Sequence, residues 1–143
     1  MNQLPINPIQ RLQETIAKLP QAELVTRHYF ADGMYARELE LPKGMILVGK
    51  VHKKEHFFIL TRGKLSVVDA VGSMILKAGA ILSSKPGTKR AGFAHEDSVC
   101  VTIHKTVLTN LDEIEEELVE YDPNSPYGVG NELKKLVIEG EFK

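Results

Sequence analysis

The sequence predicts an all-β core, an antiparallel sandwich or barrel, with a helix attached at each end. Three observations carry that prediction. From about Leu24 to Lys105 the apolar runs have strand length and are rich in Val, Ile, Leu and Phe. Turn signals bound every run, and no helical period lies between them. On either side of this region the apolar residues switch to helical spacing. At 143 residues the chain is long enough for one well-packed domain and too short for two.

In order, the first element is a helix. Asn7 suits the N-cap, Pro8 the first helical position and Gln10 the capping-box position. Ile9, Leu12, Ile16 and Leu19 share one face, and Pro20 ends the run. The strand region follows, with runs such as Met45 to Val51, Phe57 to Leu60, Leu65 to Val68, Met74 to Leu76 and Ser98 to His104. Breaks fall at Ala31-Asp32-Gly33, Pro42-Lys43-Gly44, Arg62-Gly63, Ala70 to Ser73, Ala78-Gly79, Lys85-Pro86-Gly87 and His95-Glu96-Asp97. An acidic helix comes next, capped by Asn110, with Leu111, Ile114, Leu118 and Tyr121 as its apolar stripe and its charge run as a solvated face. Asp122 to Gly130 reads as a loop, and 131–143 as either a short helix or an edge strand. The expected organisation is a helical segment over 1–23, a β core over 24–106, and an acidic helix with tail over 107–143.

Composition excludes several classes. With 43% hydrophobic and 26% charged residues the chain is globular rather than disordered. No apolar run reaches the roughly 20 residues of a membrane-spanning helix, and Met1 to Gln10 shows no secretory pattern. Cys100 is the single cysteine, so no intrachain disulfide forms and a cytoplasmic location is expected. The net charge of -1 hides a segregation: Val25 to Thr106 holds 13 Lys and Arg against 7 Asp and Glu, and the remainder is acidic. That basic middle suits a small anion but is too scattered for duplex nucleic acid. No Ser-His-Asp set or CxxC is present, and Lys85 to Arg90 lacks the pattern of a P-loop.

Two stretches carry a family spacing. Gly44 is followed after five residues by Lys50-Val51-His52, then after three by His56, and after six more by Gly63. Gly79 is followed after five by Lys85-Pro86-Gly87, after two by Arg90, and after three by Ala94. These stretches, separated by the 15 residues Lys64 to Ala78, resemble the paired motifs of the cupin family. The likeness spans about residues 33 to 106 and extends to single-cupin proteins of bacterial and phage genomes without settled activity. It implies a single cupin-type antiparallel jelly-roll β-barrel. The motif glycines sit at the corners, where positive φ is needed.

The departures are informative. The four positions that bind a divalent metal in typical cupins are here Lys50, His52, His56 and Arg90, and arginine offers no lone pair. Strand alternation places Ile46, Val48, Lys50 and His52 on one inward face, Tyr35, Arg37, Leu39 and Leu41 on another, and Cys100, Thr102 and His104 on a third. The cupin strand order brings His104 near His56.

Two pockets follow. The preferred one takes an anion, a phosphate- or carboxylate-bearing metabolite or nucleotide, on Lys50, His52, His56, Arg90 and Arg37, with Tyr35 or Phe93 as an aromatic wall. No Asp or Glu has inward parity on the strands to neutralise these cations, and no cofactor is then expected. The alternative is an enzyme, a hydrolase, isomerase or oxygenase, with His52, His56 and His104 holding one divalent transition metal, Zn or Fe. The repulsion of Arg90 and Lys50 counts against it. A third class is a structural or interaction protein with an empty barrel. The plainer reading of His52 and His56 is hydrogen bonding to backbone, and of Cys100 an inert core thiol. His28 and His95 receive no role. The apolar stripes of the two helices need burial, so a homodimer or larger homo-oligomer is expected, with no membrane partner.

Overall fold

Two antiparallel sheets enclose a shared apolar core in the computed structural model, which describes residues 8–16, 23–123, 125 and 127–132. The elements are α1 (Pro8–Ile16), β1 (Thr26–Ala31), β2 (Met34–Leu41), β3 (Ile46–Val48), β4 (His56–Arg62), β5 (Lys64–Val68), β6 (Ser73–Lys77), β7 (Ile81–Ser84), β8 (Ala91–Ala94), β9 (Ser98–Lys105) and α2 (Leu111–Leu118), with a short 3-10 turn at Val129–Asn131. One sheet has the order β1-β2-β9-β4-β7 and the other β3-β8-β5-β6. This is the jelly-roll arrangement: the chain alternates between the layers from β2 to β5 and again from β6 to β9, while β1-β2 and β5-β6 pair within one layer.

Alternation along the long strands decides what faces inward. On β2, Tyr35, Leu39 and Leu41 are buried, while Glu38 and Glu40 point out and pair with Arg27 on β1 at 3.2 and 2.6 Å. On β9, Cys100 and His104 are buried. Leu39, Leu41, Leu60 and Cys100 of one sheet meet Leu65, Val67, Leu76 and Ala94 of the other. The four motif glycines all have positive φ, between +84° and +98°. Gly63, between β4 and β5, is also spatially confined. A Cβ there would lie 2.2 Å from Ser98 Oγ and 2.6 Å from the Asp97 carbonyl oxygen, so the two sheets can approach at this corner only without a side chain.

The predicted run over Met45 to Val51 is shorter and oppositely phased. Strand β3 stops at Val48. Leu47 packs into the shared core, whereas Val48 packs with Ala91 against Ile9 and Leu12 of α1. The inward parity expected for Ile46 and Val48 is thus reversed, and Ile46 is exposed. Lys50 and His52 reach the interior because the chain leaves the sheet at Gly49, not because they continue the strand.

Among the described residues, Ile9 of α1 and Ile114 and Leu118 of α2 are buried within this chain. Asn110 Oδ1 accepts the Glu113 amide at 3.1 Å to cap α2. Ile114 and Leu118 are buried against Tyr35. The end of α2 is stitched to the segment after β3 by Lys53 N–H to the Leu118 carbonyl (2.8 Å) and Glu120 N–H to the Val51 carbonyl (2.9 Å). Tyr121, assigned to the stripe from its spacing, is instead 88% exposed because the helix ends at Leu118. Gln13 of α1, Lys89 and Asp122 tie the first helix to the loop after α2, with Lys89 Nζ 3.1 Å from Asp122 Oδ2. The N-cap at Asn7, the helix end at Leu19 and Pro20, and the tail from residue 133 lie outside the described residues. Among the described residues no helix is long and apolar enough to cross a membrane.

Candidate metal centre

Three elements deliver three imidazoles to one end of the jelly roll. Strands β4 and β9 pair antiparallel with Phe57 opposite Ile103, so His56 and His104 stand side by side facing inward. His52 comes from the irregular segment after β3. It bridges to Val119 just beyond α2, and its carbonyl accepts the Gly87 amide at 3.0 Å. Ring centroids are 4.2 Å apart for His52 and His56, 4.6 Å for His56 and His104, and 5.2 Å for His52 and His104. One candidate donor atom from each lies within 4.8 Å of the others.

Burial keeps these rings neutral. Loss of solvent, followed by the neighbouring His56 and Arg37, holds the His52 pKa down to about 3. Burial, with His52 and His56 beside it, holds His104 down to about 2. His56 is lowered as well, again mainly by burial. Neutral imidazole is the form that offers a lone pair. His56 Nδ1 faces the Lys54 carbonyl at 3.2 Å; a carbonyl only accepts, so that nitrogen carries the proton and Nε2 is left to ligate. His104 Nε2 lies 2.9 Å from Thr102 Oγ1. The donor set fits a late first-row transition ion, for which tetrahedral metal–nitrogen bonds of about 2.0–2.1 Å separate the donors by about 3.3 Å. The rings of His104 are nearly parallel to those of His52 (14°) and His56 (27°). Capture of an ion therefore requires the rings to rotate and draw in, so that their in-plane lone pairs converge.

The cations around this triad are not unanswered. Glu115 of α2 reaches Lys50 Nζ with Oε1 at 2.8 Å and Arg37 Nη2 with Oε2 at 3.5 Å, and all three side chains are 12–15% exposed. Lys50 Nζ also donates to the Gly128 carbonyl at 3.3 Å. The expectation that no carboxylate meets these cations is overturned, as is the expectation that the acidic face of α2 is wholly solvated. Glu115 was missed because it belongs to neither sheet. Its Oε2 is buried without a hydrogen-bond partner among the described residues. Arg90 donates through Nη1 to Ser84 Oγ, and its Nε is 4.0 Å from Asp69. Electrostatic repulsion of an ion by this group is correspondingly reduced.

Arg37, Lys50, His52, His56 and Arg90 border one cavity of about 150 Å³, whose deeper wall is apolar and includes Leu39, Leu41, Phe58 and Leu65. The predicted aromatic walls lie elsewhere. Tyr35 is fully buried beneath α2, its hydroxyl taken by Arg37 Nε (2.8 Å) and His28 Nδ1 (2.6 Å). Arg37 can only donate, so the tyrosine proton points to His28 Nδ1. Phe93 lies on the outer side of the second sheet, edge-on to His95. His28, which the sequence left without a role, thus helps fix Tyr35, and Tyr35 stacks on His104 at 5.8 Å. Cys100 is buried and its thiol is pushed up to about 12 by desolvation, an inert core group.

A two-sheet antiparallel arrangement of this order places the chain in the class of jelly-roll folds. The particular fold is the cupin fold. A cupin-2 domain protein from Shewanella frigidimarina superposes with a TM-score of 0.50 at 14% identity, over 66% of this chain and 92% of that one. An RmlC-like cupin from the same organism gives 0.51 at 15% identity, over 58% and 76%. A putative ethanolamine utilization protein Q from Salmonella typhimurium gives 0.51 at 12% identity, over 59% and 71%. No protein-family model and no curated protein matches the sequence.

Proposed function

We propose that this cupin-fold chain is a metal-dependent small-molecule protein in which His52, His56 and His104 hold one divalent transition ion. The observation that supports this most is the convergence of three neutral imidazoles from β4, β9 and the segment after β3. Three protein nitrogens leave coordination positions open. The ion, when bound, supplies Lewis acidity to a small molecule occupying those positions. The chain's own residues do the rest. The Lys54 carbonyl fixes the His56 tautomer, Tyr35 packs against His104, and Gly87 and Val119 hold His52 in place. The apolar lining of the deeper cavity, with Leu39, Leu41, Phe58 and Leu65, disfavours water there. The pairing of Lys50 and Arg37 with Glu115 removes much of the drive toward a highly charged anion, which favours this reading over a purely cationic pocket.

The test is metal loading of the full chain. After equilibration with excess Co²⁺ or Zn²⁺ and desalting, elemental analysis is expected to find about one ion per chain. Replacing His104→Ala or His56→Ala should abolish retention, while Lys50→Ala should leave it intact. Negligible metal in the unsubstituted protein, or equal occupancy in His104→Ala, overturns the proposal.

A further inference from the structure

We infer that the ligand of this site is a small monocarboxylate carrying an apolar group about the size of a benzene ring. The inference rests on the barrel mouth being the working site, as proposed above, and names what enters it. Three cations border the cavity, and two of them share Glu115. Arg90 differs. Among the described residues its guanidinium makes one hydrogen bond, to Ser84 Oγ, and its nearest carboxylate, Asp69, pairs with it only at 4.0 Å. A guanidinium has five N–H donors in a planar fork, so a carboxylate can still be gripped by two parallel bonds.

Position adds to the argument. Ser84 is the cross-strand partner of His56, so the hydroxyl that holds Arg90 stands directly beside the imidazole triad. A carboxylate on Arg90 is thereby presented at the triad's open side. Behind it lies the apolar wall formed by Leu39, Leu41, Leu47, Phe58, Leu65 and Val67. A cavity of about 150 Å³ with such a lining is the size that admits benzene. A phosphate ester dianion would need a second cation held as loosely as Arg90, and the neighbouring two are held more closely, by Glu115 at 2.8 and 3.5 Å. A sugar would leave its hydroxyls unpaired against leucine side chains. One negative charge with a compact apolar body satisfies both ends of the cavity.

The experiment compares benzoate, benzamide (its neutral isostere) and acetate (the head without the body) by calorimetric titration of the metal-loaded full chain. Benzoate is expected to bind at least about tenfold more tightly than either. Arg90→Gln should reduce benzoate to the benzamide level, and Arg90→Lys should restore part of the preference, because charge returns without the fork. Equal binding of benzoate and benzamide, acetate binding as well as benzoate, unchanged benzoate affinity in Arg90→Gln, or no benzoate binding at all overturns the inference. Metal content measured on the same samples separates the two claims. Metal retained without Arg90-dependent benzoate binding refutes the ligand class and leaves the metal site standing. Arg90-dependent benzoate binding in a chain that retains no metal refutes the metal site and supports the ligand class.

Discussion

Acidification should destabilise the metal-free protein from about pH 6.5 downward, before its carboxylates titrate. The reason is the triad. In the unfolded chain each histidine has the ordinary pKa near 6.5, whereas in the fold burial holds His52 down to about 3 and His104 down to about 2. Both folded values are depressed, so the stability these groups contribute is fully present above pH 6.5 and is lost as pH falls toward the folded values. Below pH 6.5 the unfolded chain takes up protons that the native chain refuses, and stability declines by about 1.4 kcal/mol per pH unit for each ring. Between pH 7 and 5 the two rings together account for about 4 kcal/mol, against a total of about 5–15 kcal/mol for an ordinary domain. His56 and His28 are lowered by burial too and act in the same direction. Urea unfolding of EDTA-treated protein at both pH values measures the difference. A chain as stable at pH 5 as at pH 7 would refute the argument that these imidazoles are held neutral by desolvation.

Three other outcomes follow from named contacts. Glu115→Gln removes the charge between Lys50 and Arg37 and should destabilise by about 2 kcal/mol, lowering the thermal midpoint by about 4–8 °C as followed by circular dichroism. Gly63→Ala should be far more damaging than Gly44→Ala, although both positions have similar positive φ. At Gly63 the added carbon meets Ser98 and the Asp97 backbone, about 3–5 kcal/mol, while at Gly44 it meets open space and only the backbone preference of about 1–2 kcal/mol applies. Cys100 should resist a disulfide reagent in the native protein at pH 8 and react promptly in guanidinium, since its thiol is buried and pushed up to about 12; rapid native labelling would contradict the core position.

What was legible in the sequence depended on the range of the interactions involved. The glycine corners are local, and Gly44, Gly63, Gly79 and Gly87 all adopt the conformation their spacing implied. On long strands a period of two is robust, so Tyr35, Leu39 and Leu41 on β2 and Cys100 and His104 on β9 face inward as read. The neighbourhood of His56 and His104 followed from the strand order that the cupin resemblance implies. The period failed on β3, whose three residues are too few to set a phase and whose exit at Gly49 resets it. The largest omission, Glu115, lies 65 residues from Lys50 on a helix outside both sheets. An amphipathic pattern announces which residues of α2 are apolar, but not that its polar edge reaches into the mouth of the sandwich. That Tyr35 would be covered by α2, and so could not wall the cavity, escaped notice for the same reason.

One consequence of the Glu115 bridge concerns selection among ligands. A carboxylate fixed on α2 within 2.8 Å of Lys50 acts as a resident competitor, present at the millimolar or higher effective concentration that tethering confers. Any solute seeking that ammonium must displace it and leave Glu115 buried beside Arg37 alone. On the proposed reading of the site, abundant cellular anions of low affinity would be screened out by the protein itself, and the entrance would discriminate before the interior does.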